Sequence, residues 1–218
     1  TSEIRLHFCF GPNEYGFSLE PTADEKFLIQ SEAEKYDHGK WDIFGSGISE
    51  SALPDQRHKR GMSTERGVGF YVYDAVSGWT VYHFHDTGAT APMRRSEIVE
   101  DCGMLRRDGA NIAPFLLRLR DEHPRRYAEI VDAVRLATPF FDDFLLDVMT
   151  FGEKRKVKLS WRQKGSDYPM QPYHLSDGTI RFICLTTALL QPNPPSTIII
   201  DEPELGLHPA AISILSEL

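Results

Sequence analysis

Leu175-Ser176-Asp177-Gly178-Thr179 and, shortly after it, Thr197-Ile198-Ile199-Ile200-Asp201-Glu202-Pro203 are the two stretches whose reading decides the fold. The second opens with four β-branched residues and closes on two carboxylates and a proline. Such a run predicts a short strand buried on both faces. Acids at the carboxyl end of such a strand lie at the crevice where α/β sheets bind ligands, and a hard cation such as Mg²⁺ takes oxygen donors there. Neighbours on a strand point opposite ways, so one carboxylate can serve a metal shell while the other reaches a water. A capped strand end whose acids face solvent is the alternative.

The first stretch precedes residues 180–190, which are apolar nearly all round and so predict a buried helix. Ser176 or Asp177 is placed to cap it. Small residues and a glycine at a helix N-terminus leave backbone N–H groups facing outward, and with the helix dipole these make an anion site for which phosphate is the obvious guest. An ordinary N-cap before a core helix is the competing account.

Outward from these motifs, the chain of 218 residues is long enough for one large domain or two small ones. Its 41% hydrophobic and 26% charged residues are those of a folded globular protein rather than a disordered chain. The 24 Lys and Arg against 32 Asp and Glu leave a net charge of −8, so any nucleic-acid contact must be local. Cys9, Cys102 and Cys184 are scattered and odd in number, which suggests neither a disulfide framework nor a zinc knuckle and fits a cytoplasmic setting. The longest apolar stretch, 182–190, is too short to span a bilayer, and we expect no membrane insertion.

Alternation in Ile4, Leu6, Phe8 and Phe10 predicts a half-buried strand that Gly11-Pro12-Asn13 ends. Further strands are expected at 15–19, 26–30, 68–73 and 79–84, the last two joined by a turn at Ser77-Gly78, and a long loop at 45–67. The spacing of Ile112, Phe115, Leu116 and Leu119 is one helix face, with Asp108 and Asn111 as candidate caps and His123-Pro124 as the stop. A second helix carries Tyr127, Ile130, Val131 and Val134 to Thr138-Pro139. Residues 144–151 and 156–162 read as a hairpin, and Gly165-Ser166-Asp167 as a turn.

Taken together, a capped helix start, an apolar helix, a Pro-rich loop at 191–195, an apolar strand and then Asp-Glu form the order found in ABC-type ATPases. The phrases Leu-Ser-Asp-Gly-Thr-Ile-Arg and Asp-Glu-Pro-Glu-Leu-Gly-Leu-His-Pro resemble those of the RecF, SMC and OLD-like ATPases rather than transporters. The resemblance covers residues 173–218 closely and the earlier part only loosely. It implies an α/β P-loop NTPase fold like an ABC ATPase head, a mixed sheet with an antiparallel β layer (1–90), a helical region (91–140) and the signature and Walker B part of the core (141–218). It implies that Asp201 orders the Mg²⁺ shell, that Glu202 positions and deprotonates the attacking water, and that residues 204–208 form the D-loop at a dimer interface. Ser176, Asp177, Gly178 and Thr179 occupy the signature, of which Ser176 and Gly178 match the positions that touch ATP held by the opposite subunit. A homodimer through an ATP sandwich follows. Asp177 and Thr179 depart from the common Leu-Ser-Gly-Gly-Gln form, which leaves those contacts less defined.

A Walker A loop, Gly-x-x-x-x-Gly-Lys with Ser or Thr next, does not occur in the 218 residues. Gly11 to Ser18 has the glycine spacing, but Phe17 stands where the lysine belongs and Pro21 interrupts any helix, so a hairpin turn is expected. We expect the missing loop and a switch histidine outside this sequence, and this stretch alone to be inactive. Two rivals stay open: a nucleic-acid clamp or defence module contacting DNA through the basic residues at 57–60, and a non-catalytic remnant. His208-Pro209 reads as a helix start rather than a metal ligand. His83 and His85 share a strand face and read as solvent-facing.

Overall fold

The computed structural model describes residues 3–59 and 66–218, and the chain divides into two compact units, 1–79 and 80–218. In the first unit, β1 (Ile4–Phe10), β2 (Asn13–Pro21), β3 (Phe27–Tyr36) and β4 (Asp42–Gly45) form an antiparallel sheet in that order. β1 and β2 pair from Ile4↔Leu19 to Phe10↔Asn13, and Gly11, at φ 64°, turns the chain between them. The glycine spacing of 11–18 is therefore that of a hairpin. Phe8, Phe10, Tyr15, Phe17 and Phe44 face a small core with Leu53 and Val72.

Two features of this unit depart from expectation. Residues 68–73 belong to a helix, α2 (Val68–Ser77), not to a strand, and Ser77-Gly78 ends that helix rather than turning a hairpin. The aromatic and β-branched content reads as strand, but Val68, Val72 and Val76 recur at helical spacing and pack on the core; the packing outweighs local propensity. Within the expected loop at 45–67 lies a short helix, α1 (Leu53–Gln56). It is anchored because the fully buried Glu32 carboxylate accepts from Ser51 Oγ, the Ala52 amide and Tyr15 Oη, which satisfies a charge that would otherwise be costly to bury.

The second unit contains β5 (Trp79–Tyr82, whose first residue falls in the first unit), β6 (Glu97–Ile98), α3 (Ile112–Glu122), α4 (Pro124–Ala137), β7 (Phe141–Leu145), β8 (Met149–Phe151), β9 (Lys154–Val157), β10 (Ser160–Gln163), β11 (Pro169–Met170), α5 (Asp177–Leu190), β12 (Thr197–Ile200) and α6 (Pro209–Glu217). β7 pairs with β10 through Trp161↔Phe144, with a register shift at Arg162/Gln163, and β8 with β9 through Met149↔Lys156; the two ladders lie in separate sheets but share one register from Trp161↔Phe144 to Met149↔Lys156, so one interrupted hairpin runs through the region expected. The expected helices form as α3 and α4, and His123 ends the first and starts the second. Neither Asp108 nor Asn111 caps α3 through its side chain. Asn111, fully buried, instead accepts from the Arg106 amide and donates to the carbonyls of Asp101 and Met104, fastening the preceding loop.

α5 packs on α4 and α6, and Ile180, Phe182, Ile183, Cys184, Leu185 and Ala188 are all buried in the main core. β12 does not match the doubly buried strand expected. It pairs with β5, buries Ile198 and Ile200 partly against the core, and leaves Ile199 40% exposed. An unbroken apolar run does not determine how many layers cover it, and here the core takes up one face. Among the described residues no helix is long and apolar enough to cross a membrane.

Candidate functional site

Ser176 is the N-cap of α5: its Oγ accepts from the Thr179 amide at 3.1 Å and lies 2.8 Å from Thr179 Oγ1. Asp177 Oδ1 accepts from Arg94 Nη2 at 2.8 Å. The Arg94 side chain is only 6% exposed and also donates to the carbonyls of Thr87, Pro172 and Leu175, so one guanidinium gathers the segment leading into the helix. Gly178 has no room for a side chain, since a Cβ there would lie 2.2 Å from the Gly206 carbonyl oxygen. Buried Arg181 donates from Nη1 to the Leu205 carbonyl at 2.7 Å. The first turn of α5 and the turn after β12 are thus in backbone contact.

β12 ends at Ile200, and the Asp201 and Glu202 side chains are 71% and 58% exposed. Glu202 has φ 45°, a left-handed backbone that is unfavourable for a side-chain-bearing residue. Pro203 follows it and favours extended backbone in the residue before, so the conformation is held against local preference. His85, three residues beyond β5, brings Nε2 to 4.0 Å from Asp201 Oδ2 and 3.8 Å from Glu202 Oε2. The two carboxylates were expected to point opposite ways. They approach one imidazole instead, because regular strand geometry stops at Ile200 and Glu202 turns the chain. Both carboxylates therefore lie beside one imidazole at the strand end and are open to solvent.

The sequence model of the family described as "AAA domain, putative AbiEii toxin, Type IV TA system" matches residues 29–218. The chain belongs to this family. An AAA domain has the P-loop nucleoside triphosphatase fold and the nucleotide-binding, ATPase-like function of that class. No curated protein matches the chain.

In this AAA domain two residues beside the motifs escaped the sequence reading. His83 and His85 are both exposed, as expected, but the pairing of β5 with β12, elements far apart in the chain, also brings His85 beside the acids. Its position just past the end of an apolar strand was the available signal. Arg94 carried no signal beyond being one of an Arg-Arg pair. His208 starts α6 as expected, with Nδ1 accepting from the Ala210 amide at 3.2 Å and Pro209 in the first turn. Of the basic residues at 57–60 considered for nucleic acid, Arg57 lies over the Tyr73 ring at 5.0 Å, while Arg60 lies outside the described residues.

Proposed function

We propose that this AAA domain is the Walker B and signature half of an ABC-type ATPase head, related to the RecF, SMC and OLD-like ATPases, with Asp201 and Glu202 as its chemical centre. The observation that carries this is the pair itself: two adjacent, exposed carboxylates facing one side, the second held in a left-handed conformation. Unfavourable backbone of this kind collects at functional sites. Asp201 would hold Mg²⁺, which when bound with ATP neutralises charge on the β- and γ-phosphate oxygens. Glu202 Oε2 would orient the attacking water and take its proton. Ser176 and Gly178, at the positive end of α5, would face the ATP of a second head, and residues 204–208 would lie at that interface. The assignment also requires a phosphate-cradling loop, a pattern that the 218 residues do not contain.

The test uses the full-length protein and compares Glu202→Gln with Asp201→Asn by light scattering with Mg-ATP. Glu202→Gln keeps the binding groups and removes the base, so the ATP-bound dimer is expected to accumulate beyond the wild type. Asp201→Asn is expected to weaken Mg²⁺-dependent binding and to dimerise less. Equal, wild-type association in both variants would leave the acids as a solvated strand end and favour the remnant reading.

A further inference from the structure

We propose that His7, Cys9 and Glu14 form a zinc site on the outer face of the β1–β2 hairpin. This face is the one turned away from Phe8, Phe10, Tyr15 and Phe17. His7 and Cys9 are two residues apart on β1, and Glu14 stands directly opposite Cys9 on β2. His7 Nε2 lies 2.7 Å from Glu14 Oε2 and 3.7 Å from Cys9 Sγ, and the three donor atoms all fall within 4.8 Å of one another. The family match begins at residue 29, so these three residues lie outside what the AAA domain shares with its family, and the ATPase reading neither needs nor predicts them.

The spacing fits zinc. Bonds of about 2.0–2.3 Å at tetrahedral angles put a ligand nitrogen and sulfur roughly 3.6 Å apart, and a nitrogen and oxygen roughly 3.3 Å apart. The His7–Cys9 separation already has that value, and the His7–Glu14 contact opens by a fraction of an ångström when a metal replaces the shared proton. A catalytic relay is a poorer account, because both contacts run through the same ring nitrogen whereas a relay uses one on each side of the imidazole. Thiolate and imidazole select zinc over magnesium or calcium.

The surroundings hold the donors in place. Lys35 Nζ bonds Glu14 Oε1 at 2.7 Å, which fixes the carboxylate and leaves Oε2 for the metal. Trp41 packs edge-on against the His7 ring at 5.2 Å, and Lys35 lies over Trp41 at 5.4 Å. Gly16, paired with His7 across the hairpin, lies against that indole. Supporting contacts of this kind orient metal ligands. On binding, the thiol proton of Cys9 passes to solvent and the thiolate, imidazole and carboxylate take three positions. The fourth is open to water or an anionic ligand.

The test is titration of the metal-free full-length protein with Co²⁺, followed by the thiolate-to-cobalt absorption band, with Zn²⁺ affinity measured against a chromophoric chelator. Wild type is expected to show the band and to lose it when Zn²⁺ is added. Cys9→Ser should abolish it, and His7→Gln and Glu14→Gln should each weaken Zn²⁺ at least tenfold; His7 and Cys9 are exposed, and Gln at 14 keeps the shape of the partly covered Glu14, so the fold is retained. Cys102→Ser and Asp201→Asn should change neither, which separates this site from the acid pair. Zn²⁺ should also raise the unfolding temperature of wild type and not of Cys9→Ser. Absence of the band in wild type, or its persistence in Cys9→Ser, would overturn the proposal.

Discussion

In the first turn of α5 each polar side chain is held by the fold: Ser176 by Thr179, Asp177 by Arg94, and Gly178 is shut against Gly206. The carboxylates that end β12, in the same neighbourhood, meet the more distant imidazole of His85 and stay open to solvent. One region is built as structure that can present backbone N–H groups, and the other is left free to bind. The difference shows that a motif's residues need not share one kind of role. Gly178 is required by the approach of Gly206 whether or not phosphate ever meets it, whereas nothing in the packing requires Glu202 to be acidic.

Removing the guanidinium that organises the helix start should have the largest effect on stability. Arg94→Ala leaves the carbonyls of Thr87, Pro172 and Leu175 unpaired, at about 1–3 kcal/mol for a buried group, so a loss of about 3–5 kcal/mol is expected in denaturant unfolding. Arg94→Lys should recover little, since an ammonium cannot span the same fork. Gly178→Ala forces apart two backbones and is expected to lose about 1–3 kcal/mol. Ser176→Ala removes the cap and should lose about 1 kcal/mol. If these three leave stability unchanged, the contrast with the acid pair fails.

Glu34 sharpens the comparison from the other side, because it is half-buried and one of its carboxylate oxygens has no hydrogen-bond partner among the described residues. That oxygen is Oε2, and burial first, then Asp42, pushes its carboxyl above the usual range. The folded state therefore binds this proton more tightly than the unfolded chain, and stability falls as pH rises from about 4.3 through the raised value. Glu34→Gln should raise the unfolding temperature at pH 7, and the gain should fade as the pH is lowered to about 4. A carboxylate that is exposed, as at 201 and 202, should show no such gain.

Local patterns carried much of the fold. The period-two run in β1, the helical stripe of α3 and the capped apolar helix α5 were legible because neighbours in sequence settle them. α2 was misread because Val68, Phe70 and Tyr71 favour strand locally, and only packing on the sheet makes them helical. The acids and the helix start were legible as motifs, yet what surrounds them was not. His85 reaches the acids through the pairing of β5 with β12, and Arg94 reaches Asp177 from far upstream; neither long-range contact leaves a periodic trace.

The most direct measurement takes one preparation of full-length Glu202→Gln through both thermal unfolding and single-turnover ATP hydrolysis. Stability is expected within about 0.5 kcal/mol of wild type, as for an exposed side chain. Hydrolysis is expected to fall by about 10²–10⁴, the usual contribution of a general base, with ATP still bound. Hydrolysis at the wild-type rate, accompanied by a loss of stability, would contradict the assignment and make Glu202 part of the framework.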